Sequence, residues 1–212
     1  AAKKQKEHDD AVKGTNRNAN MLVNTMRRLL GIYIGLAGLK KILSISDDVS
    51  QTSSRIKLIN DGLQTTAELE DKIMKSANRS RAAYSDTAKV ISKLGITAKK
   101  SFKNNDEMIP FTELVTKSFK VGGASASDQT NGMYQLTQAM ASGRLQGDEF
   151  RSIIENAPLL AKAIADYTGV GQKGLKKMAS DGAISADIIK GAVFNSANEI
   201  EQKYKQLPIT FA

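Results

Sequence analysis

Apolar residues recur at three- and four-residue steps along nearly the whole chain, the spacing of one face of an α-helix. Ile45, Val49, Ile56, Ile59 and Leu63 form one such stripe, with Thr52 filling its gap, and it extends back through Leu36, Tyr33, Leu29, Met26 and Leu22. The pattern predicts one helix from about residue 19 to 61, on the order of 60 Å long, with Gly62 as its stop. Thr65 and Glu68 have the spacing of a capping box for a helix carrying Leu69, Ile73 and Ala77. The next predicted helix holds Tyr84, Ala88, Ile91 and Leu94 and ends at Gly95. Asn105 or Asp106 caps another, with Met108, Phe111, Leu114, Val115 and Phe119 on it and Gly122-Gly123 closing it. Ser125 or Ser127 opens one that ends at Gly143. No run alternates with period two over a useful length, so no strand is assigned.

Beyond residue 143 the rhythm shortens, punctuated by Gly143, Gly147, Gly169, Gly171, Gly174 and Gly182. Pro158 suits the first turn of a helix and Gly169 the position just past its end. Ser185 caps a last helix running to about Leu207, which Pro208 limits. The fold class is therefore all-α, with long helices in the first half followed by a compact domain of short helices. Residues 1–100 form a basic long-helix region with a Gly-rich apolar helix at 20–45, and residues 101–207 form the compact domain. Residues 208–212 read as the start of a continuing chain. The opening AAKKQKEHDD resembles the middle of a polar helix, so a piece of a longer polypeptide is expected. No secretory signal pattern occurs at the start.

Charge sharpens this division. The net charge is +9, and residues 1–100 hold 19 Lys/Arg against 10 Asp/Glu, while residues 101–212 hold 12 of each. A solvated helix surface accounts for the excess. So does attraction to an anionic partner such as DNA, phospholipid or an acidic protein wall. Within the basic half, the eleven uncharged residues Leu29–Leu39 lie between Arg27-Arg28 and Lys40-Lys41. A bilayer-spanning helix needs about 20 apolar residues, so this stretch is too short for a simple span. Gly31, Gly35 and Gly38 share one helical face, where a second helix backbone can approach closely, while Leu29, Tyr33 and Leu36 occupy the other side. Helix-to-helix packing is the favoured reading, with conditional membrane insertion behind it.

The chemistry available is narrow. There is no Cys and a single His, His8, in a polar stretch. Disulfides, thiolate zinc sites and the common nucleophile–base pairs are thereby excluded. No acidic pair stands out from ordinary helix surface, so no catalytic residue, cofactor or metal is assigned, and an enzyme is not expected.

Residues 131–193 read NGMYQLTQAMASGRLQGDEFRSIIENAPLLAKAIADYTGVGQKGLKKMASDGAISADIIKGAV. Gly143 and Gly147 bracket a tight connection that lets the Met133–Met140 helix fold back on the Phe150–Ile154 helix, with Leu145 as an apolar plug. Phe150, Ile153, Ile154, Leu159, Leu160, Ile164, Leu175, Met178, Ile184 and Ile188 are the candidate core. This stretch closely resembles the conserved N-terminal domain of tail tape measure proteins from long-tailed bacteriophages. Gly143, Leu145, Gly147, Glu149, Phe150, Pro158, Ala165, Gly169, Leu175, Met178, Gly182 and Asp187 carry the likeness. FKVGGASASDQ at 119–129 and RSRAAYSDTAKVISKLG at 79–95 extend it. In one place the chain departs from that pattern. Gly171 and Gly174 stand where a Ser and a Glu commonly cap a helix, so a weaker helix start is expected.

The resemblance implies a structural protein of a phage or prophage tail that sets tail length during assembly and takes part in genome delivery. It implies contact with the tail tube protein, other tail or tail-tip proteins and sister copies, with possible host membrane contact after ejection. The implied location is the tube lumen, with the host cytoplasm during assembly and the cell envelope on infection. Two other readings compete: a membrane-active helical protein built on residues 20–45, and a helix-turn-helix DNA-binding protein. LKKMASDGAISADIIKGAV has the second outline, but its first turn offers Ala186 and Asp187 instead of base-reading side chains, and no sequence-specific nucleic acid is expected.

Overall fold

The computed structural model describes residues 51–208. His8, the glycine face of Gly31, Gly35 and Gly38, the basic pairs Arg27-Arg28 and Lys40-Lys41, and the predicted helix before residue 51 lie outside the described residues. The described helices belong to one compact unit that begins at Thr52.

Helix α1, described over residues 51–59, buries Thr52, Ile56 and Ile59. Asx hydrogen bonds end it: Asn60 Oδ1 accepts from the Gly62 N–H and Asp61 Oδ1 from the Leu63 N–H. Leu63, which the spacing places on the stripe, lies past this turn and is 71% exposed. The stripe therefore ends at Ile59. Helix α2 (Thr66–Arg79) has its expected capping box, with Thr65 and Glu68 bonded reciprocally, and buries Leu69, Ile73 and Ala77. Helix α3 (Tyr84–Thr97) does not stop at Gly95. A Cβ on Gly95 would sit 2.7 Å from the Ile59 Cβ, so that glycine admits α1 to the helix surface and does not break the helix.

A 3₁₀ turn (Lys99–Ser101) leads to α4 (Asn105–Val121), whose cap is Asn104 and neither Asn105 nor Asp106. Asn105 is buried and is bonded to the α1 end instead: its backbone N–H donates to Asp61 Oδ2, its side-chain amide donates to the Ile59 carbonyl, and its Oδ1 accepts from the Asp61 N–H. Helix α5 (Ala126–Ser142) starts on a Ser125–Asp128 capping box and closes on Gly143. Helices α6 (Gly147–Asn156), α7 (Pro158–Thr168) and α8 (Gln172–Ser180) follow. The predicted last helix is two helices, α9 (Ala186–Asn195) and α10 (Ala197–Lys205). The turn at Ser196 lets α9 pack on α7 while α10 packs on α4, burying Ile200 and Tyr204, which one straight helix cannot do.

Helix α4 organises the fold. It packs against α2, α3, α5, α7, α9 and α10, and it is buried on nearly every side. Phe111 and Phe119 on it are fully buried, and Phe111 meets Phe102 edge-on at 5.2 Å between ring centroids. One continuous apolar core runs from Ile56 to Ile200, and α2 and α3 contribute to it alongside α5 to α9. The observed class is all-α.

Candidate functional site

The turns of the 131–193 motif meet in one place. Arg144–Leu145 (β1) pairs antiparallel with Ile184–Ser185 (β2), with Leu145 opposite Ile184, and both of these side chains are fully buried. No strand was expected, and two residues are too short for an alternating pattern to register. The Ala186 N–H donates to the Gly143 carbonyl at 2.9 Å, extending the ladder by one bond. Gly143, at φ +82°, ends α5 in the left-handed region where a Cβ is strained. Ser185 then caps α9 by accepting from the Ile188 N–H. Leu145 is thus the plug its position implies, and α5 folds back on α6 as the paired glycines require.

The structure brings Gly143, Leu145, Gly147 and Gly182 together at this clasp. A Cβ on Gly182 would meet Gln146 Oε1 at 3.2 Å. The other motif residues are dispersed through the same packing. Pro158 begins α7 and Gly169 ends it, while Ala165 and Leu175 are buried. Phe150, Ile154, Met178 and Ile188 are half-buried against the core, whereas Ile153, Leu159, Leu160, Ile164, Leu175 and Ile184 lie within it. Glu149 lies in the first turn of α6, and Asp187 is exposed in the first turn of α9. Helix α8 starts at Gly171 without a side-chain cap, as expected. Gly174 has a local reason: a Cβ there would lie 2.9 Å from the Val170 Cβ, so the missing Glu has no room.

The helix-turn-helix outline at 175–193 resolves into α8, the clasp and α9. Ala186, Ile189, Ala192 and Val193 of α9 are buried. Lys190 is held by the Ser101 carbonyl at 2.9 Å and lies 3.5 Å from Glu107. Its only lysine is therefore engaged within the fold.

A second constellation escaped sequence reasoning. Glu113 and Lys117, one turn apart on α4, are 6% and 3% exposed. Arg79 of α2 donates to both Glu113 oxygens, Nε at 3.0 Å and Nη2 at 2.7 Å. The Lys117 ammonium donates to Glu113 at 2.8 Å and also to Glu201 of α10. Burial pushes the Glu113 carboxyl up, but the bonds from Arg79 and Lys117 outweigh it and hold the group below the ordinary carboxylate value. The bonds from Arg79 to Glu113 in turn raise the Arg79 guanidinium. Tyr204 of α10 closes the cluster, its ring 4.8 Å from the Arg81 guanidinium carbon and 5.3 Å from the Lys117 nitrogen. Its buried hydroxyl has no hydrogen-bond partner among the described residues, and burial raises its pKa. The available signal was a Glu–Lys pair at i, i+4 inside an otherwise apolar helix.

Neither constellation contains a nucleophile beside a base. Among the described residues no group of three or more His, Cys, Asp or Glu is placed to hold a metal, and no helix is long and apolar enough to cross a membrane. Both constellations fasten helices: the clasp joins the turn after α5 to the turn before α9, and the charged cluster joins α2 and α10 to α4. A family model described as tape measure protein matches residues 40–212, most of the chain. No curated protein and no solved structure matches it.

Proposed function

The chain belongs to the tape measure protein family, and we propose that it is the folded helical domain of a tape measure that sets tail length during assembly and takes part in genome delivery. Its place in a phage tail, as a structural component associated with other tail proteins, follows from the family. The observation that carries the finer reading is the family match over 40–212, in which the motif residues are used for turns and core packing. A tape measure acts by length and by contact. Such a role calls for a durable helical body and no catalytic centre.

Within this reading the partners are the tail tube protein, other tail or tail-tip proteins, and sister copies. The location is the tube lumen, reached from the host cytoplasm during assembly, with the host envelope as the site of action on infection. Gly31, Gly35 and Gly38 provide a face for a sister helix or, after release, for a membrane. Arg27, Arg28, Lys40 and Lys41 complement an acidic tube wall. Assembly and tail length unaltered by Gly35→Leu, or by Lys40→Glu with Lys41→Glu, would remove the respective role.

The main test takes purified tail particles. The intact mass of the native polypeptide is measured, and tail length is read by electron microscopy after in-frame deletions in the parent gene outside the matched domain. The expected outcome is a polypeptide present in the particles and a tail that shortens with each deletion. A polypeptide absent from particles, or tails of unchanged length, would overturn the proposal.

A further inference from the structure

A groove of about 360 Å³ opens where the α2–α3 turn, α3, α4 and α5 meet. Its lining includes apolar surface from Val90 and Met133, with Arg81, Lys89 and Lys120 around them and Asp86 as the sole acidic lining residue. None of the three cations has a carboxylate within salt-bridge distance among the described residues, although Lys72, Arg79, Lys117, Lys162 and Lys190 all do. The Lys120 ammonium is half-buried and donates instead to the Arg81 carbonyl at 2.6 Å. Burial, and then the charge of Arg81, hold it below the ordinary ammonium value. Arg81 is the one described non-glycine residue in the left-handed region, at φ +51°. Its guanidinium is fastened to the Leu207 and Pro208 carbonyls at 3.2 Å each. The fold therefore holds Arg81 and Lys120 close together at the groove, with no carboxylate of the described residues within salt-bridge distance of either.

We propose that this groove is the docking site for an acidic segment of a partner protein, which seats an apolar side chain on Val90 and Met133 and sets carboxylates against Arg81, Lys89 and Lys120. Charge complementarity selects an acidic partner, because a carboxylate brought to the half-buried Lys120 and the exposed Arg81 and Lys89 meets three cations without a carboxylate partner and relieves the repulsion between Lys120 and Arg81. The apolar lining selects a peptide over a nucleic acid, since a phosphodiester backbone leaves that surface uncovered. The surface rests on the described fold and stands apart from any length-measuring role, so it survives or fails independently of the proposed function.

The test uses the full 212-residue chain. Fluorescence anisotropy is followed with a labelled peptide of leucine and glutamate, its lysine-for-glutamate counterpart, and a labelled DNA duplex. The acidic peptide is expected to bind, and about tenfold more weakly to Lys89→Glu and to Lys120→Glu. Raised salt should weaken it as well. Lys89 is exposed, so its reversal tests the groove even where Lys120→Glu disturbs packing; circular dichroism verifies the fold of each variant. Three outcomes would overturn the proposal: no binding of the acidic peptide, equal binding by wild type and Lys89→Glu, or DNA binding that the same reversal abolishes while the peptide is ignored.

Discussion

The clasp at Leu145 and the charged cluster at Glu113 do the same mechanical work with opposite chemistry. The clasp joins two turns through buried apolar side chains and a few backbone bonds. The cluster joins three helices through Glu113 and Lys117, which are almost wholly out of water and depend on each other and on the partly exposed Arg79 and Glu201 in place of solvent. Loss of an apolar part removes its own contribution and leaves a cavity. Loss of an ionic part also strands its partner. The difference predicts that the region carrying the family motif is not the most fragile part of the domain.

Breaking the cluster should therefore have the largest effect. Glu113→Ala leaves Lys117 buried with only Glu201 beside it, at a cost of about 3–5 kcal/mol, read by urea unfolding of the full chain. A cost below that of the clasp variant would reverse the comparison. Leu145→Ala, at a site with no exposure, should cost about 2–4 kcal/mol by the same measurement and should leave the helical circular dichroism signal largely intact.

Acid distinguishes the two regions without mutation. The folded Glu113 pKa lies below 4.5, so its contribution is fully present above that pH and is lost as pH falls through the lowered folded value. Arg79, Lys117 and Glu201 face it. Stability should decline below about pH 4.5, and Glu113→Gln should flatten that decline, whereas Leu145→Ala should keep the slope and lower the whole curve. Gly143→Ala forces a Cβ into the left-handed region at φ +82° and should cost about 1–2 kcal/mol, seen as a lower melting temperature. The smallest effect is a gain. Gly171 caps α8 from extended backbone with nothing within 4 Å of a new Cβ, so Gly171→Ser should stabilise by about 0.2–0.5 kcal/mol.

Much was legible because it is local. The Thr65–Glu68 box, the Gly143 stop, Pro158 at the start of α7 and the apolar positions of the core depend on neighbours within a turn or two, where spacing and residue type decide the outcome. The all-α class followed from that periodicity, and the family from residues 131–193. What spacing could not supply was the direction taken by the next element. Gly95 resembles a helix stop until α1 is laid across it, and residues 186–205 resemble one helix until α4 and α7 claim different ends. The burial of Glu113 and Lys117 was hidden for the same reason. A Glu and a Lys one turn apart are surface residues on most helices, and only the convergence of Arg79 and Glu201 from distant positions makes their removal from water tolerable. The unpaired cations of the groove are a tertiary product as well, since Arg81 and Lys120 lie far apart in the chain and meet only because α4 returns past the α2–α3 turn. Sequence alone determined which segments are helical and which faces are apolar, because those depend on local geometry and on exclusion from water. Tertiary structure alone decided which charges pair across helices, which are left open and which helix ends meet, because those depend on distances that no local pattern encodes.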